Sequence, residues 1–219
     1  MGRHAIAAEL LRYENPEKIF IHKGWYQYLY NTMCDPDRFE SFGRSNVSFV
    51  TFNYDRSLEY YLYSALKSSF QKNAVECLNN FEAIPIIHVH GQLAPTPTGF
   101  VWPDYGTQIT PDLVRFAAER IRIIHETNER TSEFQAAQGR LRDAERICFL
   151  GFGYHHVNLR RLLKDITVLD GKEIYCGGYG LTEKEKQYVE IQFQGRKIKW
   201  GNSGHECLTF LREEGILLD

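Results

Sequence analysis

Asn53 and Asp55 stand two residues apart, directly after the apolar run Val47 to Phe52 and just ahead of a strongly amphipathic stretch. An asparagine amide donates and accepts hydrogen bonds, so Asn53 can hold a hydroxyl and a water at once. His88 and His90 close a second apolar run, 84–91, and end on Gly91. At i and i+2 on a strand they point to one face. His90, nearest the end, is a candidate general base, because imidazole titrates near neutral pH. A third group, Gly151-Phe152-Gly153, follows the run 146–150. Glycines there let the backbone approach a ribose or phosphate closely, and the helix after them offers its N-terminus to an anion. Each group also has a plainer reading. Asn53 suits a turn and Asp55 a helix N-cap, His88 suits a satisfied core position, and a tight turn needs glycine anyway. The pairs His88/His90 and His155/His156 also raise a metal site, but zinc takes at least three protein ligands and nothing fixes a third. No metal is expected.

For these residues to act together, strands must deliver them to one edge. Val47–Phe52 reads as a buried strand, and Leu58, Tyr61, Leu62, Ala65 and Leu66 mark the inner face of the helix after it. A short helical stretch to Phe81 leads to the strand at 84–90. Strands at 146–150, 173–176 and 197–200 each run into glycine and then a helix. Thr182 with Glu185, and Ser203 with Glu206, read as capping boxes. Thr110-Pro111-Asp112 reads as N-cap, first helical residue and first-turn acid, with Leu113, Phe116, Ala117, Ile121 and Ile124 on the buried stripe. Helices are also expected at 4–13, 25–33 and 132–144. The alternation predicts an α/β fold, a mostly parallel sheet with helices on both faces. In such sheets ligands bind outside the carboxyl ends of the strands. Between 91 and 109 no periodicity is visible. Prolines, glycines and aromatics crowd there, and a loop folded over the site is expected.

Composition narrows the class. The 219 residues, with 43% hydrophobic and 14% aromatic content, suit one globular domain spanning 1–219. A net charge of −2 with scattered signs gives no nucleic-acid surface. No apolar run is long enough for a membrane span, and the start lacks a secretory signal. Five dispersed cysteines without a CxxC pair read as free thiols, Cys148 and Cys176 buried among them. A cytoplasmic protein is expected.

Taken together, Thr51-Phe52-Asn53-Tyr54-Asp55, Val89-His90-Gly91 and Phe149-Leu150-Gly151-Phe152-Gly153-Tyr154-His155-His156-Val157-Asn158-Leu159 resemble the sirtuin-like fold in its bacterial branch, the NAD-binding domains common in anti-phage defence. The resemblance implies a Rossmann-like α/β fold and cleavage of the nicotinamide–ribose bond of NAD. It makes Asn53 and His90 the catalytic pair, with Asp55 near the nicotinamide pocket. Thr51, Gly91, Gly151, Phe152 and Gly153 would bind the cofactor, the last three beside the adenosine ribose.

Two family features have no match. The opening strand with its G-A-G-x-S loop, which holds the pyrophosphate, has no counterpart in this sequence: either the start is truncated or misassigned, or half of the cofactor cradle is lost, and that end of the cleft is then expected to be open and a sheet edge uncovered. Such an edge favours self-association, so a homo-oligomer or poor solubility is expected, and the resemblance implies a partner defence protein as the alternative. The zinc-binding cysteines of the deacetylase branch are absent too, which argues against protein deacylation. The other reading is a non-catalytic module that senses NAD or ADP-ribose, or contacts proteins.

Overall fold

Residues 2–21, 24–96, 103–123 and 131–217 are described by the computed structural model of this chain. It forms two compact units, Met1–Thr127 and Asn128–Asp219. Every strand ladder among the described residues is parallel, and helices flank both sheets, as the α/β alternation predicts.

In the first unit, β1 (Phe49–Thr51) pairs with β2 (Ile86–His88) so that Thr51 faces His88. Both strands are shorter than the apolar runs that announce them. Single bonds extend the ladder at each end, from Phe49 N to the Pro85 carbonyl (2.8 Å) and from Val89 N to the Thr51 carbonyl (3.0 Å). Helices α1 (Gly2–Leu11) and α2 (Trp25–Met33) precede β1, α3 (Ser57–Phe70) and α4 (Ala74–Glu82) join it to β2, and α5 (Pro111–Arg120) follows. One core forms where α1 meets α5. Ala7, Leu11, Leu113, Ala117 and Ile121 close around Leu93 from the loop after β2.

Helix α5 opens as expected, Thr110 accepting from Leu113 N with Pro111 behind it. It stops at Arg120, short of the expected stripe. Ile121 turns extended while staying fully buried, and Arg122 N donates to the His90 carbonyl at 2.8 Å. The backbone thus leaves the helix to bond the end of β2. Ile124 lies outside the described residues.

The second unit has strand order β3 (Arg146–Phe149), β4 (Glu173–Cys176), β5 (Ile198–Trp200). Helices α6 (Ser132–Asp143), α7 (His156–Leu162), α8 (Glu183–Gln192) and α9 (Cys207–Glu214) surround them. Parallel strands in sequence order carry their crossover helices on one face when every crossover has the usual right hand, and α7 and α8 do touch. The Thr182–Glu185 capping box forms. The one expected at Ser203 does not: α9 begins at Cys207, with Glu206 as its N-cap and no side-chain cap bond. Asn202 takes over this turn, its side chain accepting from Gly204 N at 3.0 Å. All five cysteines are free thiols.

Candidate functional site

Asn53 leaves the end of β1 exposed, while its backbone is held by side chains on both sides. Its N–H donates to Thr51 Oγ1 at 3.1 Å, and its carbonyl lies 2.8 Å from His88 Nδ1. One residue on, the Tyr54 carbonyl accepts from Leu93 N at 2.9 Å, so the loop after β2 continues the contact between the strand ends. On its other side the His88 ring meets Glu59 of α3, with Nε2 2.5 Å from Oε1, and both side chains are about 95% or more buried. Burial alone lowers the imidazolium pKa. The hydrogen bond and charge of Glu59, with the Asn53 carbonyl and the charge of Asp55, outweigh it and raise His88 above the ordinary histidine value.

His90 lies in the turn just past β2 and is 2% exposed. Its ring meets Phe52 edge-on at 5.5 Å and lies 6.4 Å from Tyr54. Tyr54 in turn donates from its hydroxyl to the Arg122 carbonyl at 2.8 Å. The structure therefore brings Thr51, Asn53 and His90 to the carboxyl ends of one strand pair. Gly91 follows at φ +82, and a Cβ there would sit 2.1 Å from the Arg120 carbonyl oxygen. Only glycine supplies that dihedral without strain and leaves room for the C-terminus of α5.

Asp55 takes a structural part at the start of α3. Its carboxylate accepts from Ser57 N at 3.1 Å and from the Ser57 hydroxyl, which also meets the Tyr26 hydroxyl at 2.6 Å. Arg56, beside it, is fully buried. All five of its N–H donors are used: two on the Glu14 carboxylate, at 2.8 and 2.5 Å, and one each on the carbonyls of Pro95, Pro103 and Asp104. One guanidinium therefore ties both described ends of the 91–109 loop to the chain after α1. Tyr105 from that loop stacks on Tyr60 of α3 at 4.2 Å. These ends are packed and hydrogen-bonded into the unit.

Sequence reasoning passed over Glu59, Arg56 and Glu14. Glu59 carried a signal, because 59, 62, 63 and 66 share one helical face and the other three are Leu62, Tyr63 and Leu66. Glu14 carried none.

In the second unit the three strands end in glycine at the same edge. Gly151 has φ +58, and Gly177 N and Gly201 N extend the ladders to the carbonyls of Phe149 and Cys176, each at 2.9 Å. Gly178 approaches so closely that a Cβ would sit 2.4 Å from the Gly201 carbonyl oxygen. Gly151 and Gly153 are exposed, and a Cβ at Gly153 would meet nothing within 4 Å. Phe152 stands edge-on to Tyr154 at 5.4 Å. Tyr154 is buried with its hydroxyl on the Gly177 carbonyl at 2.9 Å, and burial pushes its phenol pKa far up. A polar cleft of about 410 Å³ opens past β5, lined by Glu183, Lys186, Trp200, Asn202, His205 and Glu213. His155 and His156 face each other at 4.8 Å. Among the described residues no group of three or more His, Cys, Asp or Glu is placed to hold a metal ion. No described helix is long and apolar enough to cross a membrane.

The first unit thus holds an exposed Asn and a buried His at adjoining strand ends, and the second has glycines at the ends of three parallel strands; in open α/β sheets ligands bind outside the carboxyl ends of the strands. Residues 47–191, more than half of the chain, match the family described as the SIR2-like domain, and the protein belongs to that family. Neither the curated proteins nor the solved structures gave a match.

Proposed function

We propose that this protein is an NAD hydrolase, releasing nicotinamide from NAD and adding water to the ribose carbon it leaves. The observation that carries this reading is Asn53. Its backbone is pinned at N–H and carbonyl, and its residue surface is exposed at the carboxyl end of β1, one residue after the Phe52 that packs on His90. As nicotinamide leaves with the bonding electrons, the ribose carbon becomes electron-poor, in the manner of glycoside cleavage. The Asn53 amide holds a ribose hydroxyl with one group and the attacking water with the other. His90 accepts the proton that water loses, and Asp55 keeps the nicotinamide amide in register or stabilises developing positive charge. Gly151, Phe152 and Gly153 bind the adenosine ribose. The open space at Gly153 suits a ligand lying against the backbone there. An NAD-consuming domain of this kind fits a role in anti-phage defence, acting as a homo-oligomer or with a partner protein.

A second reading rests on the burial of His90, at 2% exposure. A base shut away from solvent suits a module that binds NAD or ADP-ribose without turning it over. Incubation with NAD and an assay of free nicotinamide separates the two. The hydrolase reading expects release by the wild type and a loss of about 100- to 1000-fold in Asn53→Ala with unchanged circular dichroism. Wild-type-like turnover in folded Asn53→Ala would remove the mechanism. Calorimetric binding of NAD with no release would establish the sensor.

A further inference from the structure

We propose that His88 and Glu59 are positioning residues, a buried pair that fixes the Asn53 backbone and so aims its side-chain amide out of the strand end. The pairing of β1 with β2 ends at Thr51 and His88, and its last extension is the bond from Val89 N to the Thr51 carbonyl. The Asn53 carbonyl therefore lies beyond the ladder, and a carbonyl next to a buried ring needs another partner. His88 supplies it at 2.8 Å. A carbonyl only accepts, so the hydrogen between them belongs to Nδ1. Histidine in its neutral form carries one ring hydrogen, and either nitrogen can hold it. Glu59 at Nε2 removes that freedom. With an ionised carboxylate against Nε2, both ring nitrogens carry hydrogen and the Nδ1 donor is present. The raised pKa of His88 agrees with this geometry; the charged groups acting on the ring are Glu59 from α3 and Asp55 from the turn before it.

A histidine that merely filled the core would have no reason to span a buried carboxylate on one element and the carbonyl of an exposed, bifunctional residue on another. Both ring nitrogens are held and both side chains are almost wholly enclosed, so rotation of the ring is restricted. The pair thus turns the position of α3 into a fixed position for Asn53. Its consequence for rate rests on the NAD-hydrolase reading, whereas the hydrogen-bond geometry stands apart from it.

Ring-nitrogen NMR of the ¹⁵N-labelled full chain tests the geometry directly. Both nitrogens of His88 are expected to be protonated at about pH 7, where an unperturbed histidine is mostly neutral. An Nδ1 without hydrogen overturns the proposal. Two variants test the consequence. Glutamine places its amide near the Nε2 position of histidine and asparagine near Nδ1. His88→Gln therefore keeps the Glu59 contact and loses the Asn53 carbonyl, while His88→Asn with Glu59→Gln keeps a donor for the carbonyl without stranding a carboxylate. His88→Gln is expected to lose about 10- to 100-fold in kcat with KM within about threefold, and the double variant to recover most of it. Folded His88→Gln at wild-type kcat, or equal losses in both, overturns positioning. Should the wild type release no nicotinamide, the hydrolase reading fails by itself. The backbone amide resonances of Asn53 and Tyr54 then decide: displacement in His88→Gln and not in the double variant supports the pair, and no displacement in His88→Gln overturns it.

Discussion

The Asp55 carboxylate accepts from both the amide and the hydroxyl of Ser57, so it secures the first turn of α3 whatever else it does. The N-cap of α3 is Arg56 and not Asp55, so Asp55 acts one residue earlier than an N-cap would, and the proposed mechanism gives it a second role toward nicotinamide. The two separate experimentally because an amide oxygen accepts hydrogen bonds as a carboxylate does but carries no charge. Asp55→Asn should stay within about 0.5 kcal/mol of wild-type stability, since its Oδ1 still accepts from Ser57. Asp55→Ala should lose about 1 kcal/mol, the usual net worth of a side-chain hydrogen bond. If the charge serves the reaction, both variants lose kcat by about tenfold or more. Asp55→Asn with full activity would confine Asp55 to the helix start. Denaturant melts read the first comparison and nicotinamide release reads the second.

Between elements, Arg56 is a tie in which all five donors are used. Its guanidinium joins α3 to Glu14 beyond α1 and to three carbonyls of the loop after β2, with no exposed surface of its own. Arg56→Met should cost about 3–5 kcal/mol, because Glu14 would remain as a buried charge without its partner and three carbonyls would lose their donors. Thr182→Ala, which removes one exposed capping box, should cost only about 1 kcal/mol. A chemical-denaturation midpoint shift for Arg56→Met no larger than that of Thr182→Ala would show that the loop ends are held by packing alone. This tie also shows where sequence reading stops. The five strands, most helices and the three strand-end motifs are legible because periodicity and glycine placement are local signals. A partner 42 residues away, such as Glu14 for Arg56, leaves no local trace. The described ends of the loop from 91 looked structureless because their order comes from that distant guanidinium and from Leu93 and Tyr105 packing among helices. The early end of α5 was hidden for the same reason: the competing hydrogen bond comes from His90, on another element.

Across the whole molecule the two units carry charge pairs whose pH responses have opposite sign. In the first, His88 binds its proton more tightly folded than unfolded. Its contribution is therefore complete below the ordinary histidine value of 6.5 and is lost as pH climbs through the raised folded value. In the second unit, Glu173 lies between Lys199 and Arg146, whose hydrogen bonds hold its pKa down to about 2 from 4.5. Its contribution is complete above 4.5 and is lost as pH falls towards 2. Asp165 and Glu185, held down by hydrogen bonds from Thr167 and Thr182, act in the same direction. Through these groups acid should weaken residues 128–219, by a small amount because the carboxylates are exposed and screened by solvent, and alkali should weaken the region of β1, β2 and α3. Peptide-resolved hydrogen exchange at about pH 3, 6 and 9, corrected for the intrinsic exchange rate at each pH, measures this as protection lost in one unit before the other. Glu59→Gln should weaken the alkaline response of the first unit and leave the acid response of the second unchanged. Loss of protection in both units together at the same end of the pH range, with Glu59→Gln making no difference, would show that these pairs do not govern the stability of either unit.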